Sequence, residues 1–275
     1  VPVLWISHIK GLIDSSPDDM TLAQSLLGSE QDVESKERIY LCPSCSSTLD
    51  VAHYLAQKDA LDPFDSVLAL RQWSGRGQLR RQWISEPGNL FVTWRLPQPH
   101  EQWSGLLPIL VGFVLCQGLR TVGVDVFLKW PNDLLWQNSK VGGILIEERG
   151  DVLLAGIGLN LASCPEPFLL REDHAFPAQN LVSALPDLTI LELWLRLVHL
   201  AQFRYSFILS CFDPLEFVQF IEPVLAFVGT RVRIADHRSI IQGVYVGLSP
   251  DGGLILKTEN TSRILYSGSL STEKW

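Results

Sequence analysis

Lys129 is followed by Trp130, Pro131, Asn132 and Asp133, and an apolar stretch, "VGGILIE", stands just downstream. The run "VFLKW" reads as a strand, so the Lys129 ammonium sits at a strand end. Pro131 fixes the exit of the chain, and Asn132–Asp133 suits a turn. The same residues would also serve an ordinary strand-end lysine above a turn. A second basic element is "GRGQLRRQW", Gly75 to Trp83. Glycines let backbone N–H groups approach an anion closely, and arginine offers a planar fork for carboxylate or phosphate. Alone, that element is equally a solvated basic loop. Two such features in an apolar, acidic chain point to a shared anionic ligand, with Arg76 and Lys129 as its cations.

Other motifs carry less. "CPSC", Cys42 to Cys45, has the strand-then-helix context of a thioredoxin-like pair. No second pair completes a zinc site, and the chain is not of thioredoxin size, so no redox or metal role is assigned. "GIGLNLA", Gly156 to Ala162, begins like a dinucleotide fingerprint but lacks the third glycine and an opening helix. Its glycines are expected to let the strand pass close to another backbone or a ligand. There is no GxxxxGK[ST] and no GxSxG, and the 6 histidines are scattered without metal-binding spacing. No metal ligands are expected.

These residues need elements to hold them. "RIYL", "SVLALRQW", "LFVTWRL" and "VFLKW" read as strands. "VGGILIEERGDVLLAGIGLNLA" reads as two strands with a turn at Arg149–Asp151. "SSTLDVAHYLAQ" reads as a helix opened by hydroxyl caps. A buried helix covers about 104–120. Its neighbourhood, Trp103 to Leu119, is apolar but too short and too broken by Pro108, Gln117 and glycines for a membrane span. "TLAQSLL" reads as a short helix and 163–187 as a loop. "LTILELWLRLVHLAQFRYSFI" and "PLEFVQFIEPVL" have helical spacing. From about 227 the text turns to short alternating strands, with "SPDGG" a hairpin signal. The division expected is an extension at 1–36, an α/β domain at 37–226 and a small β-barrel at 227–275.

The chain has 275 residues, 47% of them hydrophobic and 19% charged, with a net charge of −8. That is a folded composition of one large domain or a large domain with a small one attached. The acidic balance and lack of a basic stripe argue against nucleic acid. The 5 cysteines, an odd number without a secretion signal, point to reduced thiols in the cytoplasm.

Taken together the motifs resemble the biotin protein ligase family, in its form without an N-terminal DNA-binding domain. "SSTLD" resembles a Ser-Thr-Asn element, and "RQWSGRGQLRRQW" a Gly-Arg-Gly-Arg-x-Gly-Arg-x-Trp loop. "KWPNDLL", "KVGGILIE" and "GIGLN" match the family's corresponding segments, and "GVYVGLSPDGGLIL" through "YSGSL" resembles its C-terminal barrel. The resemblance implies a mixed-sheet α/β catalytic domain of the biotin/lipoate ligase type, related to class II tRNA synthetases. It implies an ATP-dependent enzyme that makes biotinyl-5′-adenylate from biotin and Mg-ATP. The biotinyl group then passes to a lysine of a biotin carboxyl carrier protein, an acetyl-CoA carboxylase subunit. Alternatives on the same fold are a lipoate or octanoate ligase, or a non-catalytic biotin-binding regulator. A monomer or homodimer, no DNA and no membrane are expected.

By match, Arg76 and Lys129 carry catalysis. Ser47, Thr48, Leu49, Gln72, Arg76, Gly77, Gln78, Lys129 and Gly143 bind biotin, and Trp83, Asn132 and Asn160 bind the nucleotide. Asp133 orients the site or helps deprotonate the acceptor lysine. Three departures stand out. Leu49 replaces the usual Asn, Gln78 replaces a second arginine, and Arg80 replaces glycine. A charge-assisted bond is worth about 1.5–3 kcal/mol, so Gln78 is expected to hold the adenylate about 10–100-fold less tightly.

Overall fold

Apolar runs bounded by turn residues become strands, and the one Ser-capped amphipathic stretch between the first of them becomes a helix. The structure, a computed structural model, describes residues 3–6, 9–14, 17–18, 21, 37–166, 176–235 and 239–272. The helix read at "TLAQSLL", apart from Thr21, and residues 167–175 of the 163–187 loop lie outside those residues. The described chain falls into two compact units, the first made of 1–98, 142–164 and 180–199, the second of 99–141, 165–179 and 200–275.

The first unit is built on a mixed sheet. Its strands are β1 (Val3–Trp5), β2 (Ile39–Cys45), β3 (Ser66–Gln72), β4 (Leu90–Leu96), β7 (Ser139–Arg149, from Gly142 onward) and β8 (Val152–Leu159). They run in the order β1-β2-β3-β4-β8-β7. The first three are mutually parallel and the rest antiparallel. Helix α1 (Thr48–Ala56) connects the parallel strands β2 and β3. It packs Leu49, Val51, Ala52 and Leu55 into a core with Cys42, Cys45, Val67, Ala69 and Leu154. Each of the leucine and valine side chains contributes about 1.5–3 kcal/mol on burial. Beside β3, Trp194 donates its indole N–H to Ser66 Oγ at 2.9 Å. Trp194 belongs to the long helix α3 (Ile190–Cys211), which follows helix α2 (Leu107–Thr121) in the chain.

Strand β2 runs further than the sequence reading placed it. It continues from Ile39 through the whole of "CPSC" to Cys45. Both thiols are buried and free. Burial pushes Cys42 up to about 12 and Cys45 well above its ordinary value. A redox pair needs an accessible thiolate, and these thiols are core atoms.

The second unit contains a 3-10 turn at Glu101–Leu106 that leads into α2. Residues Glu101–Thr121 are apolar enough in composition for a membrane span, but this stretch is mostly buried inside the protein. Trp103 and Phe113 pack on Phe217 of helix α4 (Pro214–Phe220), with ring centroids 5.3 and 6.1 Å apart. Strands β5 (Phe127–Lys129) and β6 (Asp133–Trp136) form a hairpin that pairs Lys129 with Asp133. Strands β9 (Arg231–Ala235), β10 (Ile240–Leu248), β11 (Leu254–Lys257), β12 (Ser262–Leu265) and β13 (Ser269–Thr272) form an antiparallel sheet ordered β12-β11-β10-β9-β13. The "SPDGG" turn joins β10 to β11, with Ser249 N–H bonded to Gly253 O at 2.8 Å.

Candidate active site

In the first unit the site begins at the start of α1. Ser47 is extended (φ −158°, ψ 143°), and its Oγ accepts the N–H of Leu49 at 3.3 Å. Such a cap stabilises a helix by about 1 kcal/mol. Thr48 bonds Gln72 at the end of β3 twice, through its backbone N–H at 2.8 Å and its hydroxyl at 3.3 Å, both to Oε1. Gln72 Nε2 donates to Ser85 Oγ at 3.0 Å, and Ser85 Oγ donates to Trp83 O at 3.3 Å. Thr93 of β4, fully buried, donates to Thr48 Oγ1 at 2.8 Å. Ser47 and Thr48 are themselves 1% and 3% exposed, so the chain is buried at this end, while Gln72 and Ser85 are half-buried.

The basic loop is stitched to that chain. Trp83 N–H bonds Gly75 O at 2.9 Å, Gly77 N–H bonds Arg81 O at 2.8 Å, and Arg76 bridges to Gln82. A Cβ at Gly75 would lie 2.5 Å from Trp83 O and 2.7 Å from Ser85 Oγ, so only glycine fits the loop base. The turn at Gln78–Arg80 places Leu79 at φ 57°, a left-handed conformation that costs a branched residue about 1–2 kcal/mol. Leu79 itself is 63% exposed. The Trp83 indole sits against β8 at Gly158: a Cβ there would lie 2.5 Å from its Cε2 and Cζ2. Gly143 pairs with Gly158 in register, so β7 and β8 present two side-chain-free positions on one face there. Leu49, which stands where the family often has Asn, packs against Gly156: its Cδ1 would lie 3.0 Å from a Cβ there.

Arg76 meets carboxylates within its own unit. Its Nη2 lies 3.0 Å from Asp50 Oδ1 and 3.4 Å from Glu147 Oε2. Yet Nε and Nη2 are buried without an aligned hydrogen bond. The distances make these ion pairs and the angles deny them donor geometry, so the contact is Coulombic and the guanidinium retains unspent donors. A buried N–H left unbonded is costly, so an anion with better geometry gains by taking it. Glu147 is held below the usual carboxylate range, chiefly by its bond with His53, against burial, with Arg76 and Arg149 assisting.

Asn89 was not singled out in the sequence. Its Oδ1 accepts the N–H groups of Leu161, Ala162 and Ser163 at 2.8, 3.0 and 3.1 Å, and its Nδ2 donates to Ser163 Oγ at 3.2 Å. This fixes the chain just after β8, where Asn160 is buried and its carbonyl accepts Leu181 N–H at 3.0 Å.

The second unit holds Lys129 and Asn132, both buried. Lys129 Nζ donates to Asp133 Oδ2 at 2.7 Å and stands 4.9 Å over the Phe176 ring. Lys140 Nζ lies 2.6 Å from Asp133 Oδ1. Lys140 also escaped the sequence reading, although it opens "KVGGILIE". Its backbone is clamped by Pro177 O at 2.7 Å and Gln179 N at 2.9 Å. Burial would raise the Asp133 carboxyl, and the two lysines outweigh that and hold it well below the usual carboxylate range. Asp133 is thus an anion at neutral pH, occupied by two cations. Among the described residues no three His, Cys, Asp or Glu gather to hold a metal ion.

A mixed α/β sheet followed by an antiparallel β domain is an arrangement that known proteins share. Residues 41–162 match the Biotin/lipoate A/B protein ligase family, and residues 227–271 match the Biotin protein ligase C terminal domain. The chain thus carries a biotin/lipoate A/B protein ligase domain followed by a biotin protein ligase C terminal domain. The relatives and solved structures it is similar to are biotin protein ligases. It is 27% identical over 236 residues to the bifunctional ligase/repressor BirA of Bacillus subtilis, covering 82% of this chain and 71% of that protein. It is 29% identical over 208 residues to the biotin–[acetyl-CoA-carboxylase] ligase of Paracoccus denitrificans, covering 70% of this chain and 83% of the relative. In structure it is similar to the biotin protein ligase from Aquifex aeolicus in complex with biotin and ATP. The TM-score is 0.70 and the identity 27%, over 86% of this chain and 98% of that one.

Proposed function

We propose that this chain activates biotin with ATP as biotinyl-5′-adenylate and transfers the biotinyl group to a lysine of a biotin carboxyl carrier protein. The observation that carries the reading is the loop of Gly75 to Trp83, seated on Gly158 and tied through Ser85 to Gln72 and Thr48. It joins an anion-binding arginine to a buried polar chain suited to a urea, the two ends of a biotin molecule. The likeness to a ligase complexed with biotin and ATP supports the same substrates.

In the first step a biotin carboxylate oxygen attacks the α-phosphorus, and diphosphate leaves. Both reactants are anions, so fixed cations and N–H donors lower the barrier. Arg76 supplies unspent guanidinium donors, and Lys129 supplies an ammonium kept charged beside Asp133. Magnesium enters as the counter-ion of the ATP substrate. In the second step the carrier lysine amine attacks the acyl carbon, AMP leaves, and the amine proton passes to a base. Asp133 is a poor candidate for that base, because its two lysines hold it ionised with little proton affinity; it is assigned an orienting role. Ser47, Thr48, Leu49, Gln72, Gly77, Gln78 and Gly143 are assigned to biotin, and Trp83, Asn132 and Asn160 to the nucleotide. An extension at 1–36, a catalytic domain at 37–226 and a β domain at 227–275 complete the proposal, with a cytoplasmic monomer or homodimer that binds neither DNA nor membranes.

The test is diphosphate release from ATP, measured with biotin, lipoate or octanoate, followed by labelling of each acid's carrier domain. Biotin-dependent release with carrier labelling is expected. Lys129→Ala should lower adenylate formation by about 10²–10³-fold, the effect of one well-aimed donor. Release driven by lipoate or octanoate alone would assign the chain to that ligase activity. Biotin binding without release would make it a regulator.

A further inference from the structure

Within the second unit, Lys129 stands between two residues that later parts of the chain hold. On one side the Leu128 carbonyl accepts Ala226 N–H at 2.8 Å, and Leu128 bridges in parallel to Leu225. On the other, the Trp130 indole N–H donates to Gly252 O at 3.0 Å. Trp130 is 1% exposed and Gly252 is buried, so solvent does not compete for that bond. Gly252 belongs to the β10–β11 turn and has a φ of +86°, which glycine adopts without strain. The turn is closed by Gly252 N–H to Ser249 O at 2.9 Å as well as by the Ser249–Gly253 bond. The Asp251 carboxylate accepts the Ser249 hydroxyl and, at 2.6 Å, the Tyr266 hydroxyl.

This turn rests backbone to backbone on the 3-10 turn at Glu101–Leu106. A Cβ at Gly105 would run into Asp251 O and stand 3.1 Å from the Asp251 carbonyl carbon. A Cβ at Gly252 would run into Gly105 O and stand 2.8 Å from the Gly105 carbonyl carbon. Peptide groups do not swing aside as a side-chain tip does, so the contact at Gly105 sets where the Gly252 carbonyl stands. We propose that Gly105 is a positioning residue for adenylate formation: it seats the β10–β11 turn, the Gly252 carbonyl of that turn fixes Trp130, and Trp130 fixes the lysine before it. This rests on Lys129 acting in that step. Lys129 and Asp133 pair across the β5–β6 hairpin, so residues 130–132 are its whole loop, and a shift of Trp130 moves Lys129 with it. Gly105 touches no substrate in this scheme; it acts through the turn and Trp130.

The test is single-turnover diphosphate release at saturating biotin and ATP. It compares the native protein, Gly105→Ala, Trp130→Phe, Lys129→Ala, and each of the first two combined with Lys129→Ala. Gly105→Ala must lift the turn from Trp130 and should slow release about 10–100-fold, the effect of misplacing a reacting group by about 1 Å. Trp130→Phe keeps a ring and deletes the donor, and should slow it about 2–10-fold. With Lys129→Ala already present, each substitution should cost less than about 2-fold, because the residue it positions is gone. A merely structural role would lower the rate by the same factor in both backgrounds. Equal factors, or the absence of a loss in either single variant, overturn the inference while leaving Lys129 its role. Should Gly105→Ala fail to fold, the cycle with Trp130→Phe decides alone. Full activity in Lys129→Ala, or no biotin-dependent release from the native protein, fails the functional reading and this inference with it.

Discussion

Asp133 and Lys129 face each other across the β5–β6 hairpin, with Nζ 2.7 Å from Oδ2, and both are buried or nearly so. Their charges depend on one another. The folded carboxyl titrates below its unfolded value, near 3.9, because two lysines outweigh its burial. Its contribution to stability is therefore complete above about pH 4 and is lost as pH falls below that toward the folded value. Thermal unfolding followed from pH 7 to pH 2 should show a fall in Tm over the acid end that Asp133→Asn lacks. At pH 7 the same variant leaves Lys129 and Lys140 facing a neutral amide. It should be less stable by about 3–5 kcal/mol, the usual result of breaking a buried pair from one side. Equal acid sensitivity in both proteins would show that the pair contributes nothing to stability.

Gly158 and Trp83 make a second, steric dependence. A methyl group at 158 would intrude to 2.5 Å of the indole, so Gly158→Ala must push the ring away. Overpacking of this kind costs about 1–3 kcal/mol. Because Trp83 also closes the loop through its bond to Gly75, the displaced ring should free the Arg76 segment. Hydrogen exchange at 75–83 should accelerate, and the KM for ATP should rise more than Tm falls. Unchanged exchange in the variant would mean that the ring does not seat the loop.

Several elements were legible because their signals are local. "LFVTWRL" is β4 residue for residue, and Ser47 caps α1 where hydroxyls precede an apolar periodicity. The glycines of "GIGLN" admit close neighbours as read, Leu49 at Gly156 and Trp83 at Gly158. What sequence could not supply was partner identity over distance. Nothing near Arg76 announces Asp50 or Glu147 as its neighbours, and nothing near Lys129 says that Lys140 shares its carboxylate. The strand read as ending at Leu41 runs on to Cys45 because Ser44 and Cys45 find partners on β3 at Arg71 and Gln72. That pairing overrides the turn preference of Pro43.

Asn89 shows the same limit. It lies in "EPGNLF", where a turn alone would account for it, yet its carboxamide serves three N–H groups more than seventy residues ahead. Asn89→Ala removes the shared acceptor from three half-buried or exposed N–H groups at 161–163, and each bond lost is worth about 0.5–1.5 kcal/mol. The variant should unfold at lower temperature. It should also lose affinity for ATP while keeping affinity for biotin, since the Asn89 contacts fix the chain beside Asn160 and leave Thr48 and Gln72 untouched. Asn89→Asp, which keeps the acceptor, should recover most of the loss. Equal losses for ATP and biotin would mean that Asn89 supports the fold generally.

Gln78 stands where the altered loop would change how firmly the adenylate is retained. Gln78 opens the short turn of the loop, and its carbonyl holds Arg81 N–H at 3.2 Å, a bond any residue at 78 can make. Gln78→Arg is therefore compatible with the turn. It adds one cation to a segment whose Arg76 already stands against two carboxylates. A charge-assisted bond to the adenylate phosphate would slow release by about 10–100-fold. Stopped-flow displacement of biotinyl-5′-adenylate from the native and Gln78→Arg proteins measures this directly, without carrier protein. Slower release in the variant, sensitive to salt as a charge contact should be, would make position 78 the setting for adenylate retention. Equal rates would show that the phosphate is held elsewhere and that the departure from arginine is neutral.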